Sequence, residues 1–329
     1  MSQAGRAPKG RIVLHLPGAM GVPNGSRLPG FLSKLHAGFS AAGAQVEIRQ
    51  RDRAALEALA ETPDFHIVWQ GRFQHPRLLN TAIAYVFPFW YLDPQGVYGA
   101  STVTGARFAP DAQNAAEARA FADRLRKRLV EPRQSRLPQP EVTAPLPQGA
   151  IAVFLQGQSE PTERLGYMSE DEMLRAVLAD TQGRPVIIKP HPLTRDLETF
   201  ERIAALRDDP RVTISLGNIH DILAASAVTV SLCSAVSLEG MLHQRPAVLF
   251  GRSDFHHCTE TVTRAEDWPA TLSRALARDW PFDAFLHWFL GEKMLNAGRP
   301  DLLQRTARRI GATGADLAEL GLAELAAGA

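Results

Sequence analysis

The sequence predicts an α/β protein made of two Rossmann-like domains with parallel sheets, followed by a C-terminal helical segment. Three observations support this fold class. Short apolar runs of strand length alternate with helical patterns, which is typical of parallel sheets covered by helices on both faces. A proline-rich stretch interrupts this alternation once. The length of 329 residues also suits two domains better than one.

The predicted N-terminal domain, residues 1–130, begins with a strand at 11–16 that runs into a glycine- and proline-rich loop. An apolar run, AIAYVFPFWYL, ends at Asp93, and we expect it to form a fourth strand. An amphipathic helix predicted for 112–130, with Asp111 as its N-cap, closes the domain. Between the first strand and the apolar run we expect a helix at 31–42, a strand at 44–49, a short helix at 53–61 and a strand at 64–70.

The stretch from residue 131 to residue 149 contains five prolines and almost no hydrophobic periodicity. Proline restricts the backbone and cannot continue a helix or a central strand. We therefore predict that residues 131–149 are an interdomain linker.

A second alternation occupies residues 150–279, the predicted C-terminal domain. Ligands of such sheets bind beyond the carboxyl ends of the strands, so the strand-end loops are the first candidates for a site. Residues 280–329 form the predicted C-terminal helical segment. We expect strands at 150–157, 185–189, 212–216, 227–232 and 246–251, and helices at 169–180, 196–207, 221–226 and 235–244.

The composition argues against several classes of protein. The formal charge is +1, from 36 basic and 35 acidic residues, so no nucleic-acid partner is expected. Two cysteines do not suggest a disulfide framework, and a reducing compartment fits them better. The chain has no run of roughly 20 apolar residues that could span a membrane.

We expect a cytoplasmic protein. The basic run from Arg124 to Arg136 leaves two alternatives open, peripheral contact with the inner membrane or a solvated helix face.

The stretch VIIKPHP ends the second strand of the C-terminal domain. Lys189 is the last residue of that strand, and the prolines on either side of His191 hold this histidine extended. A fixed imidazole beside a lysine can bind a phosphate or a leaving group without an ordering cost. The alternative is a strand end with a solvated histidine.

The stretch VSLCSAVSLEGMLHQ, residues 230–244, predicts a strand that turns into a helix. Ser234 is the expected N-cap, and the free backbone N–H groups with the helix dipole would form an anion site. Ser231 and Ser237 can add hydroxyl donors, and Glu239 could accept a hydrogen bond from a ribose hydroxyl. The alternative is a capped helix in which Glu239 complements the dipole.

The chain lacks a GxGxxG motif and a Walker-type phosphate loop, which argues against a dinucleotide dehydrogenase and a P-loop NTPase. It also lacks a DxD pair at a strand end, so we expect neither a metal nor a cofactor. The phosphate charge would then be met by Lys189, His191, Arg195 and helix N-termini.

The C-terminal domain resembles the donor domain of capsule polysaccharide biosynthesis proteins in two stretches, KPHP and NIHDILAASAVTVSLCSAVSLEGMLHQRPAVLFGRSDF. The proteins of this family are GT-B glycosyltransferases, and they include bacterial β-Kdo transferases. FLQGQSEP, residues 154–161, is similar to the strand end that opens this domain in the family. The similarity is clearest over residues 150–255. Where the family usually has an aspartate after FLQ, this chain has Glu160 or Glu163.

The resemblance implies a GT-B-like, metal-independent transferase that uses a CMP- or CDP-linked donor, such as CMP-Kdo. The acceptor would be a surface or capsular polysaccharide or its lipid linker. In this interpretation His191 binds the donor phosphate, Lys189 neutralises it, and the helix around Ser234 to Glu239 binds phosphate or ribose. Glu160 is the first choice for the catalytic carboxylate and Asp93 the second. The acceptor would lie on N-terminal loops near residues 18–27, Arg72, His75 and Asp93.

Three other functions stay open at this point. A CDP-glycerol-type polyol-phosphate transferase has a similar donor domain, but its acceptor attacks phosphorus. A non-catalytic relative would bind a nucleotide or glycan without transfer, and a nucleotide-sugar 2-epimerase shares the two-domain layout.

Overall fold

A computed structural model describes residues 9–18, 28–57, 59, 62–141, 145–157, 164–194 and 197–328. The chain folds into two compact units. Unit 1 comprises Met1–Ala106 and Leu290–Ala329, and unit 2 comprises Arg107–Phe289. Each unit contains a parallel sheet with helices, which confirms the predicted fold class.

Unit 1 has a four-stranded parallel sheet in the order β2-β1-β3-β4. Its central strands are buried on both faces, and residues of β1 and β3 form the core with a helix from the C-terminal part of the chain. The strands are β1 Arg11–Leu16, β2 Gln45–Gln50, β3 Phe65–Trp69 and β4 Leu78–Thr81. The helices are Gly30–Ala41, Arg53–Glu57, Leu302–Gly311 and Ala323–Ala327.

The apolar run AIAYVFPFWYL does not form the predicted strand. Within this run the two residues Phe89–Trp90 form a short strand, β5, which pairs antiparallel with Leu295–Asn296. Tyr85 has a φ of 64°, and Pro88 has no N–H for a ladder, so the run turns back on itself. The fourth strand of the sheet lies earlier in the chain, at β4.

Unit 2 has a six-stranded parallel sheet in the order β11-β10-β9-β6-β7-β8. The chain builds one half of the sheet outwards from β6 and then crosses to the other side of β6 to build the second half. The strands are β6 Ala150–Phe154, β7 Val186–Lys189, β8 Val212–Ile214, β9 Ser226–Ser231, β10 Ala247–Leu249 and β11 Glu260–Thr261. The helices are Ala115–Leu125, Glu170–Ala179, Leu197–Ala204, Ile219–Ala225, Val236–Leu242, Trp268–Ala277 and Phe282–Leu286, with a π-helical stretch at Arg126–Val130. A second π-helical stretch, His287–Lys293, begins in unit 2 and ends in unit 1.

The division into units differs from the predicted boundaries. The helix Ala115–Leu125, expected in the N-terminal domain, belongs to unit 2, where the next residue, Arg126, pairs with Asp283 and donates to the carbonyl oxygen of Leu242. The predicted linker, residues 131–149, also belongs to unit 2. The predicted C-terminal segment is divided, since its first part belongs to unit 2 and residues from Leu290 onward to unit 1.

The N-cap of the helix Ala115–Leu125 is Asn114 and not the predicted Asp111. The side chain of Asn114 accepts from the N–H groups of Ala116 and Glu117 at 3.0 and 3.1 Å. Asp111 lies in a separate short turn that Pro110 begins. In the described part of the chain, no helix is both long enough and apolar enough to cross a bilayer.

Candidate functional site

The strand order of the unit 2 sheet reverses between β6 and β9. Open α/β sheets bind their ligands beyond the carboxyl ends of the strands at such a switch point. Gln156, two residues past β6, reaches the end of β9. Its Oε1 accepts from the N–H of Cys233 at 2.8 Å, and its Nε2 lies 3.6 Å from the Sγ of the same cysteine. Gln156 therefore holds the two strand ends together at the switch point.

Lys189 ends β7, the strand beside β6, and only 6% of it is exposed. Its Nζ donates to the carbonyl oxygen of Gly217 at 2.7 Å, in the loop that follows β8. Burial lowers its pKa. Among the described residues no carboxylate lies within ion-pairing distance of this ammonium group. Its remaining N–H groups are available to an anion.

His191 follows Lys189 by two residues and is half-buried. Its Nδ1 accepts from the N–H of Leu193 at 3.2 Å. A neutral imidazole has one acceptor and one donor nitrogen, so this bond leaves the hydrogen on Nε2. Burial lowers the pKa of His191, and the positive charges of Arg136 and Lys189 lower it further. The ring is thus neutral near pH 7 and offers an Nε2–H donor at the strand end.

In the turn from β9 into the helix Val236–Leu242, the polar groups form hydrogen bonds with one another. The Oγ of Ser231 accepts from the N–H of Ser234 at 3.1 Å, and the Oγ of Ser234 accepts from the N–H of Val236 at 3.3 Å. The N–H groups of residues 237 and 238 bond to carbonyl oxygens of the same turn. The predicted anion site at this helix N-terminus relied on free N–H groups, and those of residues 234, 236, 237 and 238 are bonded within the turn. The N-cap of the helix is Ala235 and not the predicted Ser234.

Glu239, on the same helix, is 3% exposed. Its carboxylate accepts a hydrogen bond from Ser135, and burial raises its pKa to about 7. Its Oε1 has no partner among the described residues, and neither does the buried Oγ of Ser237. A buried polar atom without a hydrogen bond costs about 1–3 kcal/mol. These two atoms are therefore suited to accept or donate hydrogen bonds to a ligand.

Glu170 is a buried carboxylate that none of the predicted site motifs contains. It is the first residue of the helix Glu170–Ala179, and its Oε1 accepts from the N–H groups of Gln156 and Gly157, just past β6. Its Oε2 lies 3.7 Å from the Nη2 of Arg202. Burial is the main cause of its raised pKa. Glu170 positions the loop at the switch point.

Asp93, the second choice for the catalytic carboxylate, lies in unit 1 and is 6% exposed. Its Oδ1 accepts from the N–H groups of Gln95 and Gly96 at 2.8 and 3.1 Å. Its Oδ2 accepts from the N–H and the Oγ1 of Thr102 at 2.9 and 2.5 Å. A carboxylate has about four lone-pair positions. All of them are used within the loop, so Asp93 acts as a structural anchor in this state.

Unit 1 contains a cavity of about 800 Å3 beside the edge strand β4. His75 and Asp93, two residues predicted to contact the acceptor, line it together with Arg309. Arg309 donates to the carbonyl oxygens of Leu92 and Lys293 at 3.3 and 2.5 Å. Burial lowers its pKa to about 10, although the charge of Asp93 opposes this shift. The cavity therefore has a partly desolvated cation in its wall.

The structure separates the predicted site residues into two groups. One group lies at or after the carboxyl ends of β7 and β9, the two strands that flank β6 in unit 2, and comprises Lys189, His191, Ser231, Ser234, Ser237 and Glu239. Asp93 belongs to unit 1. Glu160 and Arg195, like most of the loop at 18–27, lie outside the described residues.

Gln156 and Glu170 organise the switch point, and neither residue was predicted from the sequence to do so. The sequence carried a signal for Glu170. Ser169 caps the helix and pairs with Glu172 in a capping box, which places Glu170 in the first turn directly after the loop. In the described segments, no group of three His, Cys, Asp or Glu side chains is arranged to hold a metal ion.

Comparison with solved structures shows a similar fold in two β-Kdo transferases. The chain is similar to the β-Kdo 2,7 transferase of Thermosulfurimonas dismutans KpsC, with a TM-score of 0.54 and 14% identity, over 84% of this chain and 88% of that one. It is also similar to the β-Kdo 2,4 transferase of the same KpsC, with a TM-score of 0.50 and 15% identity over the same shares.

The fold is GT-B-like. The resemblance expected from the sequence motifs is thus confirmed at the level of the fold. No known family model matches the chain, and no curated protein matches it in sequence.

Proposed function

We propose that the chain is a glycosyltransferase that moves a sugar from a nucleotide-activated donor, a CMP-linked sugar of the Kdo type, to a capsular or surface glycan or its lipid linker. One observation carries the proposal. The carboxyl end of β7 presents a buried lysine and a neutral histidine with an Nε2–H donor, one strand away from the switch point.

The leaving group of such a reaction is a nucleoside phosphate. The hydroxyl oxygen of the acceptor bonds to the anomeric carbon, the bond from that carbon to the phosphate oxygen breaks, and the acceptor proton passes to a base. Lys189 stabilises the negative charge that develops on the phosphate, and His191 donates a hydrogen bond to it. Both groups are fixed before the donor arrives, so little reorganisation is needed.

The nucleoside side of the donor would contact the helix Val236–Leu242. Glu239 accepts from a ribose hydroxyl through its unpartnered Oε1, and the hydroxyl of Ser237 supplies a second polar contact. A buried carboxylate of raised pKa gains from such a hydrogen bond, because the bond replaces solvation that burial removed.

The base that accepts the proton remains the role we propose for Glu160. Asp93 is less suited to it, because all four of its lone-pair positions already accept hydrogen bonds. The cavity of unit 1, with Arg309 in its wall, would bind the acceptor.

Thermal-shift titration with CMP, CDP, UDP, GDP and ADP tests this proposal, because a ligand that binds only the folded state raises Tm. We expect cytidine nucleotides to raise Tm in the wild type and not in Lys189→Met. Lys34→Met is a matched control, since Lys34 also donates from Nζ to a backbone carbonyl, that of Ala297 at 2.6 Å, but in unit 1.

Each outcome of this titration has a consequence. Stabilisation by uridine or guanosine nucleotides alone would mean that the donor is a uridine- or guanosine-linked sugar and not a CMP-linked one. No stabilisation by any nucleotide would contradict the proposed function. Product analysis by 31P NMR then separates glycosyl transfer from the polyol-phosphate alternative, since only the latter forms a phosphodiester.

A further inference from the structure

The segment from Arg133 to Pro140 is fixed to the carboxyl edge of the unit 2 sheet. Arg133 forms a two-point ion pair with Asp221, at 2.5 and 3.1 Å, in the first turn of the helix after β8. The Nδ2 of Asn218 donates to the carbonyl oxygens of Arg133 and Pro140 at 3.2 and 3.3 Å. The proline-containing segment is therefore anchored to the rest of unit 2 at both of its ends.

The next two residues bring the segment to the helix Val236–Leu242. The carbonyl oxygen of Gln134 accepts from the Nε2 of His220 at 2.7 Å. The Nδ1 of His220 lies 3.0 Å from the Nε2 of His243, the residue that follows that helix. Ser135 bonds to the carboxylate of Glu239. The segment thus contacts the helix after β8 and, through Ser135, Glu239 on the helix after β9.

Arg136 is the next residue, and its side chain is exposed. Its guanidinium makes no hydrogen bond or ion pair with another described residue. Its positive charge nevertheless acts on His191, and more strongly than that of Lys189, which is only two residues from His191 in the chain. The segment that carries Arg136 is bonded to Asn218, the residue after Gly217, whose carbonyl oxygen accepts from Lys189. An anion that binds between an arginine and a buried lysine lowers the repulsion between the two cations.

We propose that Arg136 binds the phosphate of the donor nucleotide and is the third member, with Lys189 and His191, of the group that holds it. This inference rests on the proposed function, because it assigns a residue to the donor site of that reaction. Guanidinium binds phosphate with two parallel hydrogen bonds, so Arg136 would add orientation as well as charge.

The anchoring contacts explain why a surface arginine would be effective here. Five hydrogen bonds fix the segment before and after Arg136, at Arg133, Gln134 and Pro140. The side chains of Arg133, Asn218 and His220 donate them. The side chain of Arg136 alone must then be ordered when phosphate binds. Loss of a charge-assisted hydrogen bond of this kind weakens binding roughly 10- to 100-fold.

The test compares Arg136→Gln and Arg136→Lys with Arg128→Gln, an exposed arginine of the same basic run. The ligands are CMP, CDP and cytidine, which lacks a phosphate. We expect Arg136→Gln to bind CMP and CDP about 10- to 100-fold more weakly and cytidine within about twofold of the wild type. The lysine variant should recover part of the loss, and Arg128→Gln should change nothing.

NMR titration of the His191 imidazole gives a second readout. Removing the charge of Arg136 should raise the pKa of His191, which a loss of structure elsewhere would not do. Equal loss of cytidine and CMP affinity in Arg136→Gln, or an unchanged affinity for CMP, would overturn the assignment while the proposed function stands. Failure of the wild type to bind any of the three ligands would overturn both.

Discussion

Each unit contains a deeply buried carboxylate, and the two are treated in opposite ways. Asp93 in unit 1 accepts four hydrogen bonds from its own loop. Glu239 in unit 2 is more deeply buried, yet one of its oxygens has no partner among the described residues. A carboxylate that is fully bonded stabilises its fold, whereas one that is left incomplete keeps bonding capacity for another molecule.

The same contrast separates the cations of the two units. Arg309 in unit 1 is bonded to two backbone carbonyls beside a nearby negative charge. Lys189 in unit 2 has one backbone carbonyl as a partner, and burial alone accounts for the shift of its pKa. The difference supports the proposal that the donor binds at the carboxyl edge of the unit 2 sheet, because the buried polar groups compared in unit 1 are already bonded within the protein.

The largest expected effect comes from His191→Ala. Loss of its Nε2–H donor should lower the rate of transfer at least about 100-fold, because one preorganised donor to a developing charge contributes this much or more. The free energy of unfolding should change by less than about 1 kcal/mol, since the side chain is only half-buried. Product formation and Tm are measured together, with His36→Ala in unit 1 as the control. Parallel losses of activity and Tm in His191→Ala would contradict a catalytic role.

A second prediction concerns the histidine pair of unit 1. The Nε2 of His15 lies 2.9 Å from the Nδ1 of His66, and burial is the main cause that lowers the pKa of each ring from 6.5 to about 4. The unfolded chain takes up these protons below pH 6.5, but the folded chain does not until about pH 4. Stability should therefore fall as the pH falls through this window, by up to about 1.4 kcal/mol per pH unit for each histidine.

Tm measured between pH 7 and pH 4.5 checks this prediction, with His66→Gln as the comparison. The variant should lose stability at pH 7 and show a shallower decline towards pH 4.5. A decline that is the same in both proteins would show that the pair does not remain neutral in the folded state.

The third prediction tests the satisfied carboxylate. Asp93→Asn keeps one acceptor oxygen but turns an N–H2 donor towards the N–H of Thr102 or towards those of Gln95 and Gly96, so two donors face each other. We expect a loss of about 2–4 kcal/mol in the free energy of unfolding. Asp316→Asn is the matched control, because Asp316 makes a similar bond to the N–H of Ala318 at 2.8 Å but is exposed. Comparable denaturation midpoints for the two variants would remove the contrast between Asp93 and an ordinary turn residue.

The sequence predicted both sheets because buried parallel strands such as β6 are continuous apolar runs bounded by turn residues. It located Lys189 and His191 at a strand end for the same reason. It did not predict which unit residues 107–149 join, because that depends on contacts between distant residues, such as Arg133 with Asp221. Proline content indicates an irregular backbone, but it does not distinguish an interdomain linker from a segment that is hydrogen-bonded to one domain.

The candidate site was predictable to the level of residue type and strand end. The sequence could assign Glu239 to a helix, but only the tertiary structure shows that one oxygen lacks a partner and that Ser135 meets the other side of the carboxylate. Gln156 and Glu170 were missed because their roles depend on bonds across the switch point, to Cys233 in one case and to the loop after β6 in the other.

The last prediction concerns Glu239→Gln, which sharpens the comparison by removing the charge without changing the shape of the side chain. Burial raises the pKa of Glu239 from 4.5 to about 7, so the folded chain holds a proton in this window that the unfolded chain has released. The carboxyl group therefore lowers stability as the pH rises from 4.5 to 7, which is opposite in sign to the effect of the histidines.

The difference in Tm between Glu239→Gln and the wild type isolates this effect, because the histidines contribute equally to both proteins. Relative to the wild type, the variant should be more stable at pH 8 than at pH 5. At the same time it should bind CMP more weakly at pH 8, where the carboxylate of the wild type is charged and is the better acceptor for a ribose hydroxyl. A variant with a pH-independent difference in Tm would mean that Glu239 is already paired in the folded state. Glu239 would then be a fully bonded carboxylate like Asp93, and the two units would not differ in this respect.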